Sequence, residues 1–214
     1  VLATHNNDDN VKSFINSIPA TILNADLRNP QEVEKLISET FDINKQLDII
    51  VNNAALQNVE NLNEIDSDSW DAVLETNLRS IHLLMRAAIP TLEKSNNASV
   101  VNIASIEGHH PARGHSHYST SKAGLLMLTK SAALEYADFG IRVNSVSPGL
   151  IDDGNLKERW PEGLNRWLDS APLRRAGSPK DVANAVVFLS SPMASWITGS
   201  DLVVDGGVST SSTW

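Results

Sequence analysis

Cysteine is missing from this chain of 214 residues, so disulfides and thiolate metal sites are excluded. No apolar run approaches the roughly 18 residues of a membrane-spanning helix. No basic patch relieves the formal net charge of −9, from 17 Lys and Arg against 26 Asp and Glu. Such a balance repels phosphate backbones and argues against nucleic acid as a partner. The opening residues, from Val1 to Asp9, have no basic head and no apolar stretch, so they do not read as a signal peptide. The expectation is a soluble, cytoplasmic protein with neither nucleic acid nor membrane as partner. Glycine is scarce where it matters most: all 11 lie at or after Gly108. A nucleotide-binding βαβ unit needs a Gly-rich first turn so that the backbone can approach the phosphates. Either no dinucleotide is bound, or that turn lies outside this sequence.

What remains is the composition of a folded globular domain, with 41% apolar and 20% charged residues. Short β-branched runs alternate with longer helical stretches. Strands are predicted at Ala20–Asn24, Leu47–Val51, Ser99–Ile103, Ile141–Val146 and Leu202–Val204. The near-continuous apolar run at 47–51 suits a strand covered on both faces. A helix opens at Asn29-Pro30, with Glu32 at the capping-box position. A long helix is predicted from Ser67 to Leu92, burying Trp70, Val73, Leu74, Leu78, Ile81, Met85 and Ile89. Further helices are predicted from Tyr118 to Ala137 and from Ser178-Pro179. The stretch from Gly149 to Gly177 reads as irregular. This alternation implies one α/β domain over 1–214, a doubly wound, mostly parallel sheet. Ligands sit outside the carboxyl ends of such strands, which singles out Asp26, Asn53, Ser105, Pro148 and Gly149.

Tyr118 and Lys122 are four apart on a predicted helix and share one face. A phenol with pKa about 10 is a poor acid near neutrality, and a nearby ammonium lowers it. The pair is therefore a sensible proton donor for a carbonyl. Alone, it is better explained by an exposed Tyr lying on a Lys stem. Ser105 precedes Tyr118 by one loop and ends a strand, which makes the set more specific than any member. Its plain alternative is a turn-forming serine. Asn77 falls on the apolar stripe of its helix, where an unbonded amide is costly. It either bonds neighbouring backbone at a kink or holds a water.

With Asn53-Ala54-Ala55 after a strand, Asn77, Ser105, Tyr118-Ser119-Thr120-Ser121-Lys122, Ser147-Pro148-Gly149-Leu150-Ile151 and the ending Asp201–Gly207, the chain resembles the short-chain dehydrogenase/reductase family. The resemblance is to the branch of 3-oxoacyl-acyl-carrier-protein reductases and glucose 1-dehydrogenases. It implies a Rossmann-type fold and NAD(P)-dependent interconversion of a ketone and a secondary alcohol. It also implies roles. Tyr118 would be the general acid or base, and Lys122 would lower its pKa and hold the nicotinamide ribose. Ser105 would bond the substrate oxygen, and Asn77 would hold a relay water. Asp26 and Leu27 would stand at the adenine, Asn53 and Ala54 along the adenosine, and Ile151 after Pro148 and Gly149 at the nicotinamide amide. His5, where an acid would select NAD, leans the cofactor to NADP. Asp153 stands where the family commonly has Thr, near the phosphates, and would repel them unless it turns away. Residues 150–177 would form a substrate lid containing Trp160 and Trp167, each of which could equally be core filling. A homotetramer or dimer would form through the long helices around Asn77 and Tyr118.

Four of the six histidines gather at His109, His110, His115 and His117. Neutral imidazoles ligate zinc, yet only Glu107 offers a nearby carboxylate, and the expectation is a polar loop with no metal. A function of another class stays open, a catalytically inactive truncated or degenerate homologue acting as a binding or oligomerisation module. The resemblance also places residues 1–4 at the second strand of the fold, with the first strand and Gly-rich turn missing. The expectation is a fragment of a longer protein, or a gap filled by another chain. Strands 20–23 and 47–51 would then flank a strand-wide space, unless residues 1–4 fall into it.

Overall fold

The computed structural model describes residues 20–210 and the backbone of residues 2–4. Six strands carry the architecture: β1 (Leu2–Thr4), β2 (Ile22–Asn24), β3 (Ile49–Asn52), β4 (Ser99–Ile103), β5 (Arg142–Pro148) and β6 (Asp201–Val204). Strands β3-β4-β5-β6 form one parallel sheet in that order, with Val51 beside Val101 and Ile103 beside Val146. Among the described residues β1 pairs only with β2, in parallel, as a separate two-stranded sheet. Residues 2–4 therefore do not bridge to β3. Among the described residues β3 is hydrogen-bonded on one edge, to β4.

Helices cover the main sheet on both faces. On one face lie α1 (Pro30–Asn44), α3 (Ser80–Leu92) and α4 (Ser116–Tyr136). Their apolar stripes meet Ile50, Val100 and Val143 in the larger core. On the other face α7 (Pro179–Ser190) brings Ala185 and Leu189 onto Val101 and Val146. The caps form as local chemistry dictates. Asn29 accepts from the Gln31 amide at the start of α1. Ser178 and Asp181 close a reciprocal capping box at the start of α7.

Three sequence expectations are corrected. The run at 47–51 is not covered on both faces, since Ile49 and Val51 are 42% and 44% exposed. They share the face of their register partners Ser99 and Val101, over which α7 packs farther along the sheet. The long helix at 67–92 is interrupted. α2 (Ser67–Leu74) passes through a π-helical turn at Glu75–Arg79 before α3 begins. The extra residue rotates the buried stripe, so Leu84, Ala88 and Leu92 are buried below the turn together with Ile81 and Met85. The stretch from Gly149 to Gly177 holds two short helices, α5 (Leu156–Arg159) and α6 (Pro161–Ser170). Pro161 starts α6 because its missing N–H costs nothing in a first turn.

Candidate active site

β4 ends at Ile103, and Ser105 follows with its side chain accepting from the Glu107 amide at 3.1 Å. That bond starts a single 3-10 turn over Ile106–Gly108. The loop then returns to α4, whose third residue is Tyr118. Tightness is built in by Gly108, where a Cβ would lie 2.9 Å from Leu126 and 3.0 Å from the Lys122 backbone. Ser105 and Tyr118 are brought together, close enough for the Ser105 hydroxyl to oppose the upward shift of the phenol. Lys122 sits one turn along α4, 2% exposed, with its ammonium 5.5 Å from the Tyr118 ring centre. Its Nζ donates to the Ile103 carbonyl at 2.7 Å, which leaves two N–H groups for another acceptor.

Burial sets the electrostatics of this corner. The Lys122 ammonium is pushed down to about 8 by loss of water. The Tyr118 phenol is pushed above its usual 10, first by burial, with the Glu107 charge adding and the Ser105 hydrogen bond opposing. Desolvation is the largest cause of that upward shift, and Lys122 is not among its causes.

Asn77 lies in the π-helical turn and is fully buried. Its Oδ1 accepts from the Leu56 amide at 2.7 Å, and its Nδ2 donates to the Leu56 carbonyl at 2.8 Å and to Ser121 Oγ at 3.0 Å. Both N–H groups of the amide are spent on protein, the bonding that the first of the two alternatives expects, at a distortion of the helix. Ser121 in turn donates to the Tyr118 carbonyl at 2.7 Å. Asn77 thereby ties the segment after β3 to the turn of α4 that carries Tyr118.

The other expected residues are placed as follows. Asp26 ends the β2 edge, its carboxylate paired with Arg28 at 2.7 Å. Leu27 packs against the larger core. Asn53 and Ala54 follow β3 and are exposed. Pro148 ends β5, and Gly149 is overlaid by Trp167, whose ring would lie 2.5 Å from a Cβ there. Ile151 bridges to Gly177. Asp153 is paired with Arg159 at 2.8 Å. His5 lies outside the described residues. Trp167 of α6 also donates to the Arg175 carbonyl at 3.2 Å, so it anchors the 150–177 segment onto the end of β5. Trp160 remains 48% exposed and lies over Gly163.

Sequence reasoning missed the partnerships of the histidines. His115 Nδ1 lies 3.0 Å from both oxygens of Glu107, and Ser119 donates to the same carboxylate at 3.2 Å. His109 meets Asp201 at 2.8 Å, and Asp201 also accepts from Ser145 and Ser147. His117 is fully buried with both ring nitrogens unbonded, its nearest carboxylate being Glu60 at 3.7 Å. Among the described residues no three His, Cys, Asp or Glu side chains are placed to hold a metal ion. The only available signal was the spacing of Glu107, eight residues before His115 across one loop.

The residues present fit the nicotinamide-ribose half of a dinucleotide. Lys122 offers two N–H groups to paired hydroxyls, and Pro148–Ile151 flank the same corner. No described helix is long and apolar enough to cross a membrane.

Comparison with known proteins agrees with this geometry. The family described as Enoyl-(Acyl carrier protein) reductase matches residues 1–209. A 3-oxoacyl-[acyl-carrier-protein] reductase FabG of Buchnera aphidicola is 36% identical, over 97% of this chain and 86% of that protein. Glucose 1-dehydrogenase 2 of Bacillus subtilis is 34% identical, over 88% of this chain and 74% of that protein. The solved structure of Thermoplasma acidophilum aldohexose dehydrogenase superposes with a TM-score of 0.86 at 31% identity, covering 92% of this chain and 81% of that one. A Sinorhizobium meliloti protein assigned as a short-chain alcohol dehydrogenase superposes with a TM-score of 0.91 at 28% identity, covering 98% of this chain and 86% of that one. The chain belongs to the short-chain dehydrogenase/reductase family of NAD(P)-dependent oxidoreductases, in its 3-oxoacyl-acyl-carrier-protein reductase-like branch.

Proposed function

We propose that this chain catalyses reversible hydride transfer between NADP or NAD and a small ketone or secondary alcohol. The observation that carries the reading is Ser105 beside the Tyr118 phenol, with the buried Lys122 ammonium 5.5 Å from the Tyr118 ring centre. A bound dinucleotide supplies or takes up the hydride. The protein's own groups do the rest. Ser105 holds the substrate oxygen and stabilises its developing negative charge. Tyr118 gives its phenolic proton to that oxygen in reduction and takes it back in oxidation. Lys122 holds the nicotinamide ribose and places a positive charge below the phenol. Asn77 acts as a positioning residue, through Ser121 and Leu56. Asp26, Leu27, Asn53 and Ala54 border the adenosine side, and Pro148, Gly149 and Ile151 the nicotinamide.

The NADP preference rests on His5, an uncharged or cationic side chain where an acid would reject a 2′-phosphate. Assembly as a homotetramer or dimer is supported by a groove of about 770 Å³ on the outer face of α3 and α4, lined in part by Leu74, Leu78, His82 and Met127. Met127 is 62% exposed there. A monomeric mass by light scattering would contradict assembly.

The test is turnover of a ketone panel by the full protein with NADPH and with NADH. Reduction with NADPH preferred is the expected result, and a strong NADH preference removes the role given to His5. Failure to bind either nucleotide supports the non-catalytic module instead.

A further inference from the structure

The mechanism above leaves one polar pair beside Tyr118 without work. The His115 ring meets the Tyr118 ring edge-on, with centroids 6.2 Å apart. Both oxygens of Glu107 stand 3.0 Å from His115 Nδ1. A carboxylate only accepts, so Nδ1 carries the proton. That fixes the tautomer: in the neutral ring, Nε2 presents a lone pair. Nε2 has no hydrogen-bond partner among the described residues and is not among the buried unpartnered atoms, while the side chain is 18% exposed. Glu107 itself is held in place. Its amide donates to Ser105 Oγ and its carboxylate accepts from Ser119. An oriented acceptor therefore opens next to the groups that would hold the substrate oxygen.

We infer that His115, oriented by Glu107, is a specificity residue that accepts a hydrogen bond from a hydroxyl next to the reacting carbon, so that the substrates are neutral hydroxylated ketones and their polyols. The inference rests on the oxidoreductase reading and narrows it. Charge favours a neutral hydroxyl over an anionic group. The pair carries −1 with a neutral imidazole and 0 with a protonated one, so it never offers net positive charge to a carboxylate or phosphate. Composition favours a hydroxyl over a bare alkyl group. Beside the Tyr118 ring, the polar side chains at this corner are Ser105, Glu107, His115 and Ser119, and an alkyl substituent there would strip water from polar atoms without replacing its bonds.

The full protein is assayed in the oxidative direction with NADP and NAD on a matched pair, cyclohexanol and its vicinal diol. The wild type is expected to prefer the diol in kcat/KM. In His115→Leu the diol-to-alcohol ratio falls at least about tenfold, the worth of one hydrogen bond of about 1.4 kcal/mol, mainly through KM. His115→Gln, whose carboxamide oxygen still accepts, recovers part of that ratio. Glu107→Ala lowers the ratio too, because the ring loses its orientation. A His115→Leu variant that fails to fold leaves His115→Gln and the wild-type ratio to decide. Equal use of diol and alcohol by the wild type, or an unchanged ratio in the variants, overturns the inference while hydride transfer stands. Inactivity on every alcohol and ketone overturns both.

Discussion

Two corners of one sheet differ sharply. At the end of β4 and the start of α4, Ser105, Tyr118, Ser121 and Lys122 are buried, and the side chains of Ser105, Ser121 and Lys122 each have a named hydrogen-bond partner. At β3, Ile49 and Val51 lie open, and the strand is bonded on one edge only among the described residues. The first corner has its polar side chains withdrawn from water, with two Lys122 N–H groups left for another acceptor. It is also electrostatically costly, since burial depresses the Lys122 ammonium and raises the Tyr118 phenol. The second is cheap to alter because water already reaches it. Chemistry is therefore expected to reside where substitution is expensive.

The largest expected effect is at the phenol. Tyr118→Phe removes one hydroxyl and is expected to reduce turnover by about 10²–10⁴-fold, the worth of a positioned general acid. Asn77→Leu comes next. It strands the Leu56 amide and carbonyl, and each unsatisfied buried group costs about 1–3 kcal/mol. A loss of roughly 2–4 kcal/mol in urea unfolding is expected.

Lys122→Met turns the comparison around, because it should cost activity and gain stability. Lys122 has a folded pKa of about 8 against 10.5 unfolded. A depressed cationic pKa means that the unfolded chain binds more protons between those values, so wild-type stability rises with pH across that window. Below it the penalty is constant and of the order of 3 kcal/mol, from about 1.36 kcal/mol for each pKa unit. The Met variant is expected to be more stable at neutral pH by up to about 2 kcal/mol, after about 1–3 kcal/mol for the unsatisfied Ile103 carbonyl is counted. Its rise between pH 8 and 10.5 should be absent.

A spectral titration sharpens the same corner. The chain has two tyrosines, so a Tyr136→Phe background reports Tyr118 alone. Tyr118 should titrate above its ordinary value, and Ser105→Ala should move it higher still, because the Ser105 hydrogen bond opposes the shift. Smallest of all is the open corner. Ile49→Thr or Val51→Thr should change stability by about 0.5 kcal/mol or less, whereas the same change at the fully buried Val101 should cost several times more.

The legible parts of this molecule were those governed by local rules. The Asn29 and Ser178 caps, the strand at Ser99–Ile103 and the shared face of Tyr118 and Lys122 follow from spacings within one element. The rest depended on what lies across space. No periodicity announces that Asn77 will sit in a π-helical turn, since the distortion accompanies its bonds to Leu56 in another segment. The helices within 149–177 are short, and α5 has only four residues, too few for a repeating apolar stripe. The exposure of Ile49 and Val51 reflects which neighbours cover β3, while the run itself reads like any buried strand. His115 and Glu107 are separated by a loop, and only the folded turn after Ser105 brings them to 3.0 Å.

The account stands most directly on Tyr118. Nucleotide binding and steady-state turnover should be measured side by side in the full protein and in Tyr118→Phe, with the same ketone. The expected result is retained nucleotide affinity with turnover reduced at least about 100-fold, because the phenol moves a proton and contributes little to holding the dinucleotide. Turnover equal to the wild type would contradict the assignment of the Ser105–Tyr118–Lys122 corner as the site of chemistry.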